Sequence, residues 1–195
     1  MLITKTNPTG VDYHIQRFQT ELHSSLMTLW GLNPGTPAEN ILYESYGRCY
    51  RNKKSNGYVA EVYTSDDQYK EVYWNDALRA ISFFGTGDKI ETSVNNLVDV
   101  HMIFFVDLKK LALKDSLNNT IAHRADEEVR KQAQVIIGKA LYGFNLLSIE
   151  TGLVNVLREY PGSYRDDRLK AVDMHPVHCF RLNLSLEYDI NSNNC

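Results

Sequence analysis

The sequence predicts an α+β fold, an antiparallel or mixed β-sheet with helices packed on one face and a protruding β-hairpin arm. Three observations predict it: an amphipathic helix leads the chain, a run of short strands punctuated by turn residues follows, and two long alternating strands bracket a helical stretch. Strands and helices segregated in this way mark α+β rather than a βαβ repeat. With 195 residues, 43% of them hydrophobic, the chain reads as one domain over residues 1–190. Such a length buries roughly two-thirds of the unfolded surface without disulfide or metal support. The closing Asn191-Ser192-Asn193-Asn194-Cys195 reads as a flexible polar tail.

The first element is a helix from Val11, whose apolar stripe is Val11, Ile15, Phe18, Leu22, Leu26 and Leu29, with Gln16, Arg17, Gln19 and Glu21 facing away. Thr9 followed by Asp12 has the spacing of a capping box, and the stretch from Gly31 to Pro37 ends the helix. Tyr46–Asn52 reads as a strand, Asn52–Gly57 as a hairpin turn ending in Asn-Gly, and Tyr58–Thr64 as its partner. A second pair joins Tyr58–Thr64 to Gln68–Trp74 around Ser65-Asp66-Asp67, completing a hairpin-rich arm over 43–74. On Tyr58–Thr64 the pleat sends Tyr58, Ala60 and Val62 one way and Val59, Glu61 and Tyr63 the other. Ala80–Phe84 reads as a strand and Gly85-Thr86-Gly87-Asp88 as a loop.

Val98–Asp107 carries apolar residues on both faces and predicts a central strand covered on both sides. His178–Asp189 alternates Phe180, Leu182, Leu184, Leu186 and Tyr188 with Arg181, Asn183, Ser185, Glu187 and Asp189, a half-buried strand with one wet or partner-facing row. Between them, His123 to about Leu141 predicts a helix opened by Asp126, Glu127 and Glu128, with Val129, Ala133, Ile136 and Ala140 inward. A second helix is predicted over Ser148–Tyr160, with Ile149, Leu153, Val156 and Leu157 inward and Pro161-Gly162 as its stop.

Composition excludes several classes. The apolar fraction is too high for wholesale disorder, and no apolar run reaches the roughly 18 residues of a membrane helix. The stretch Met1–Pro8 has no apolar core of the signal-peptide kind, so no export is expected. Cys49, Cys179 and Cys195 are an odd, scattered set that argues for a reducing compartment. A formal net charge of −3 gives no global grip on a phosphate backbone.

Catalytic motifs are missing: the chain has no Gly-x-Ser-x-Gly elbow, Walker loop, Gly-x-Gly-x-x-Gly, Cys-x-x-Cys or His-Glu-x-x-His. His175, His178 and Cys179 are zinc-ligand types, with His101 or Asp99 as a fourth. Adjacent residues on a strand point to opposite faces, however, so His178 and Cys179 cannot chelate together, and the plainer reading puts His178 on the buried side. The cluster from His123 to Glu128 reads as an acid-rich helix start. No catalytic, cofactor or metal residue is therefore assigned, and the protein is expected not to be an enzyme.

Two surfaces remain. The stretch 46–58, with Tyr46, Arg48, Tyr50, Arg51, Lys53, Lys54 and Tyr58, has the basic-aromatic composition of a single-strand nucleic-acid surface, opposed by Glu61, Asp66, Asp67 and Glu71. Seven of the twelve tyrosines fall within 43–73, a density suited to protein–protein contact. Tyr46, Tyr50, Tyr58, Tyr63, Tyr69 and Tyr73 on the arm, with Arg181, Asn183 and Glu187 on the last strand, are the candidate subunit-interface residues.

The stretch Val98–Leu108, the acid-led helix after His123, and Asp173-Met174-His175-Pro176-Val177-His178-Cys179-Phe180-Arg181-Leu182-Asn183-Leu184 together resemble tail terminator or neck-ring (head–tail connector) proteins of tailed bacteriophages, in the style of crAss-like phages of Bacteroides-type hosts. The likeness lies in element order over Val98–Asp189 and the leading helix. It implies a virion subunit, made in the host cytoplasm, that forms a closed ring with copies of itself, commonly six-fold or twelve-fold. Its other implied partners are portal, connector or tail proteins, and DNA would pass through the lumen without specific binding. No membrane and no cofactor are implied. The alternative expectation is a nucleic-acid-binding accessory protein using residues 46–58.

Overall fold

The computed structural model describes residues 1–30, 43–64, 68–92, 95–114, 117, 119–139, 143–163 and 175–189. In chain order these form β1 (Leu2–Ile3), α1 (Val11–Leu29), β2 (Tyr43–Lys54), β3 (Gly57–Tyr63), β4 (Tyr69–Glu71), β5 (Ala80–Thr92), β6 (Asn95–Asp107), β7 (Leu113–Lys114), β8 (Thr120–Ala122), α2 (Asp126–Lys139), β9 (Phe144–Thr151), α3 (Leu153–Val156) and β10 (Val177–Asp189). Eight strands make one mixed sheet in the order β4-β3-β2-β5-β6-β10-β9, with β1 beside β2, while β7 and β8 form a separate hairpin. The fold is α+β.

The sheet is antiparallel except where β2 meets β1 and β5, which it joins in parallel. β2 changes partners along its length: Tyr43–Arg48 lies beside β5, and Cys49–Lys54 turns back on β3 through the two-residue link Ser55-Asn56. Gly57, at φ 122°, supplies the conformation that the turn requires. The hairpin arm is thus the outer continuation of the main sheet.

β6 sits at the centre for the reason its sequence suggests. Met102, Phe104 and Val106 pack beneath α1 and α2, among Ile15, Phe18, Leu22, Leu26, Val129 and Ala133. Ile103 and Phe105 enter a second core with Ile81, Phe83, Leu153, Val156, Leu157 and Cys179. Phe104 and Phe180 stack across the β6–β10 pair, centroids 4.6 Å apart. The two long helices share one face, and the short α3 with the turn after it covers the other.

Several local expectations give way to tertiary pairing. The stretch 148–160 is not one helix. Residues 144–151 pair with β10 as β9, Gly152 breaks the chain direction at φ 83°, and only Leu153–Val156 is helical. Its apolar spacing is shared between Ile149, packed from the sheet, and Leu153, Val156 and Leu157, packed on the other face. Gly85-Thr86-Gly87-Asp88 is strand, opposite His101 and Val100 with a bulge before Ile90. Gly85 is required there because a Cβ would collide with the His101 ring and the Tyr160 hydroxyl.

At the start of α1 the capping box is not made. Gly10 occupies the cap position without a side-chain bond, and the Asp12 carboxylate turns to Lys5 and Arg48 instead. On the same helix Gln19 is buried, donating to the carbonyls of Ile3 (3.1 Å) and Ser45 (2.8 Å), while Leu29 is exposed and Met27 and Trp30 join the core in its place. β4 spans three residues of the expected Gln68–Trp74. Ser65–Asp67, Ala140 and the tail 191–195 lie outside the described residues.

Candidate functional site

The arm has two unlike faces. One carries Cys49, Ala60 and Val62 into the second core. The other opposes Tyr63 to Tyr69 and Tyr50 to Glu61 across the ladder. There the rings of Tyr50, Tyr63 and Tyr69 meet edge-on, with Tyr69 5.1 Å from Tyr63 and 6.0 Å from Tyr50. Arg48 lies over Tyr50 at 4.7 Å and Lys5 over Tyr63 at 5.8 Å, both within reach of a cation–π attraction. Asp12 at the start of α1 gathers the group, accepting from Lys5 (2.8 Å) and the Tyr50 hydroxyl (3.4 Å) and pairing with Arg48 (3.3 Å). The hydrogen bond to Asp12 holds the Lys5 ammonium above its usual pKa.

The arm's outer end is pinned to the body. Gly162 donates its N–H to the Tyr58 carbonyl at 2.7 Å, so close that neither Gly57 nor Gly162 has ordinary room for a side chain. Lys54 pairs with Glu61 at 2.8 Å. Burial alone would raise Glu61, but hydrogen bonds from Lys54 and Asn52 hold its carboxyl below the ordinary range.

Six tyrosines carry the sequence expectation, and they divide into three environments. Tyr58, Tyr69 and Tyr73 are exposed, at 43%, 61% and 61%. Tyr50 and Tyr63 are half-buried in the ring cluster. Tyr46 is core, its hydroxyl donating to Glu44, because alternation along β2 sends it to the face opposite Tyr43 and Ser45, into the second core with Val62 and Ile81. Tyr46 is therefore withdrawn from the interface candidates.

The β10 row divides similarly. Arg181 is buried, not outward, and forks onto Glu159, with Nη2 2.8 Å from Oε1, while its Nε donates to Asn183 Oδ1 at 2.6 Å. Asn183 then donates to Ser148 at 2.9 Å. Burial pushes Glu159 up, but its hydrogen bonds with Arg181 hold the carboxyl below the ordinary range. Beside them His101 Nε2 stands 3.3 Å from the Tyr160 hydroxyl, and burial together with Arg181 lowers its pKa to about 3. An open groove of about 360 Å³ runs along this row, lined by Gly87, Asp99, His101, Ser148, Arg158 and Asn183. Glu187 is exposed at the far end and accepts from Asn95 at 2.8 Å. Arg181 thus fixes α3 to the sheet, and Asn183 and Glu187 remain on the surface side. Sequence spacing held no sign of the Arg181–Glu159 pair, since the partners belong to different elements.

The basic stretch is largely neutralised. Arg48 faces Asp12, Arg51 faces Asp88 and Lys54 faces Glu61, whereas Lys53 is exposed. At the other candidate clusters, Cys179 is the residue fully buried, and His178 is only partly so, lying 3.1 Å from Arg130. Arg124 is buried at the start of α2, donating to the carbonyls of Leu111 and Leu29 and pairing with Glu128. Among the described residues no three His, Cys, Asp or Glu side chains converge as a metal site requires.

β9 completes the picture at the opposite end of the sheet. Its inner edge pairs with β10, and its outer edge carries no strand among the described residues. Leu147, at the bulge, and Val154 on α3 are exposed at 60% and 65%. Natural edges are usually blunted by Lys, Pro or brevity. β4 follows that rule, with three residues including Lys70 and Glu71, whereas the eight residues of β9 include one charge, Glu150, and no Pro, and are interrupted by the bulge at Leu147. Compared with protein-family models, curated proteins and solved structures, the chain matches none.

Proposed function

We propose that the protein is a structural, non-enzymatic subunit that assembles head to tail into a closed ring, as a neck or tail component of a tailed-phage virion. The observation that carries the reading is the strand order. Three exposed tyrosines of the arm lie at one end of the sheet, and the β9 edge, unpaired among the described residues, lies at the other with exposed Leu147 and Val154. Two unlike adhesive surfaces at opposite ends of a subunit suit a heterologous contact, and such contacts give rings when the rotation closes. Exposed tyrosine supports this, since it adds contact area at small entropic cost.

The neutralised cations of 46–58 also support assembly over nucleic-acid binding, because binding requires unopposed Lys and Arg. A net charge of −3 would let DNA slide through a lumen without adhering. The resemblance of Val98–Asp189 to neck and tail ring proteins supplies the virion setting.

Light scattering with size-exclusion chromatography, together with negative-stain imaging of the purified protein, tests the reading. The expected outcome is discrete annuli that dissociate when Tyr69 and Tyr73 are replaced by Ala, or when Leu147→Lys charges the β9 edge. A species that stays monomeric at high concentration, or that retains oligonucleotide in a salt-dependent way through Lys53, would overturn it.

A further inference from the structure

We infer that β4 of one copy pairs antiparallel with β9 of the next, in the register that sets Lys70 opposite Glu150, so that one sheet continues around the ring. Given the head-to-tail contact proposed above, on which this pairing rests, the strands that meet are the two ends of the order β4-β3-β2-β5-β6-β10-β9. Each has one edge paired inside the subunit, and among the described residues its other edge carries no strand. Their relative direction follows from the pairings. Of the six steps from β4 to β9, five are antiparallel and one, β2 to β5, is parallel, so β4 and β9 run in opposite directions. A rotation about an axis along the strands brings the next copy's β9 beside β4 without reversing either, and the new pair is antiparallel.

Face and charge select the register. Lys70 stands opposite Val62 on the face of the second core, its ammonium 5.9 Å from the Tyr46 ring. On β9 that face carries Ser148 and Glu150, opposite Asn183 and Arg181, and Arg181 reaches Glu159 after α3. A slip of one residue would turn Lys70 against the wrong face, and a slip of two would set it against uncharged Ser148 or Gly152. Glu150 is the one charge on β9, and it faces Arg158 through Oε2, so Lys70 joins it as a second cation. On the other face the same register sets Glu71 opposite Ile149, and exposed Tyr69 opposite Thr151 and diagonal to Ile149, an aromatic–β-branched contact. The pairing uses the regular stretch Ile149–Thr151, beyond the bulge at Leu147. With three residues β4 is too short to hold an arbitrary strand by backbone bonds alone, so the contact forms where charge and rings also fit.

Cross-linking of the full chain tests the pairing, in a Cys195→Ser background where Cys49 and Cys179 stay buried. With Lys70→Cys and Glu150→Cys on the same chain, a short bis-maleimide is expected to give a ladder of covalent oligomers that ends at the ring number, and either substitution alone is expected to give none. Stronger linking of Lys70→Cys with Ser148→Cys would overturn the register. Annuli without any ladder would overturn the pairing and leave the ring reading standing, whereas a chain that is monomeric by light scattering overturns both. A second measurement avoids new cysteines. Exposed Lys70→Glu sets like charges face to face and is expected to weaken self-association about fivefold in low-salt sedimentation, with Lys70→Arg close to the unaltered chain. Equal association in Lys70→Glu and the unaltered chain would overturn the register as well.

Discussion

In the inner sheet, β5, β6 and β10 bury apolar residues on both faces, whereas the arm of β2, β3 and β4 rests on apolar packing along one face and on tyrosines, cations and carboxylates along the other. The two regions belong to one sheet and differ in what neighbours they need. The inner strands bury most of their apolar side chains against the helices and the second core. The arm presents Tyr58, Tyr69 and Tyr73 to the outside, so its outer face is where contact with another molecule would add most. The deepest core and the exposed rings thereby lie on different strands.

The contrast can be broken from the inner side first. Phe104→Ala removes a ring stacked on Phe180 beneath α1, and a loss of about 3–5 kcal/mol in urea unfolding is expected. A loss below about 1 kcal/mol would place the core elsewhere. Next is Glu159→Gln, which strips the charge opposite buried Arg181. About 2 kcal/mol is expected, below the usual 3–5 kcal/mol for a fully buried pair because Glu159 keeps some solvent contact.

The pH dependence follows with a definite sign. His101 titrates near 3 when folded but near 6.5 in an unfolded chain, so the unfolded state binds the extra proton between those values. The stability from His101 is complete above about pH 6.5 and declines as pH falls towards 3, at up to about 1.4 kcal/mol per pH unit. Unfolding free energies measured across that window should show a shallower slope in His101→Gln. Glu159, held below its ordinary range, acts in the same direction at the lower end: its contribution is present above the unfolded carboxylate pKa and is lost as pH falls through the folded one.

Smaller effects sharpen the comparison at the arm. Gly47 has ordinary space for a Cβ, which would stand 3.5 Å from Gln19 Oε1, a buried atom with no hydrogen-bond partner among the described residues. A hydroxyl in Gly47→Ser can donate to that oxygen, and a gain of about 0.5–1 kcal/mol in thermal unfolding is expected. Least of all, Tyr73→Ala should change subunit stability by under about 0.5 kcal/mol, since the ring is exposed, while weakening self-association measured by sedimentation. Equal losses of stability and association would erase the distinction between the regions.

The parts legible in the sequence were those whose local pattern and tertiary environment agree. α1, α2, the arm's first hairpin, β6 and β10 carry their periodicity openly, because each has one dominant packing direction or is covered on both sides. Residues 148–160 were not legible: apolar spacing compatible with a helix is equally compatible with a strand and a single helical turn joined at Gly152, and only pairing with β10 decides. Gly85 and Gly87 look like loop residues, yet they are glycine because His101, Tyr160 and Asp99 lie against them. Of the candidate surface, the tyrosine-rich arm could be read directly. The burial of Tyr46 depends on the second core that covers that face of β2, and that of Arg181 on a glutamate in another element, and neither leaves a trace in local spacing.

The position of β10 between β6 and β9 has a consequence for biosynthesis. β9 leaves the ribosome before β10, yet β10 is its only strand neighbour among the described residues. During translation β9 must therefore wait, its apolar side chains unsheltered, until β10 slides in and joins it to the rest of the sheet. A nascent chain at that stage exposes three unpaired strand edges, both of β9 and the one of β6 that β10 will cover, where the finished subunit keeps of these, among the described residues, only the outer edge of β9, so the interval before closure is when misassembly between neighbouring chains would be easiest.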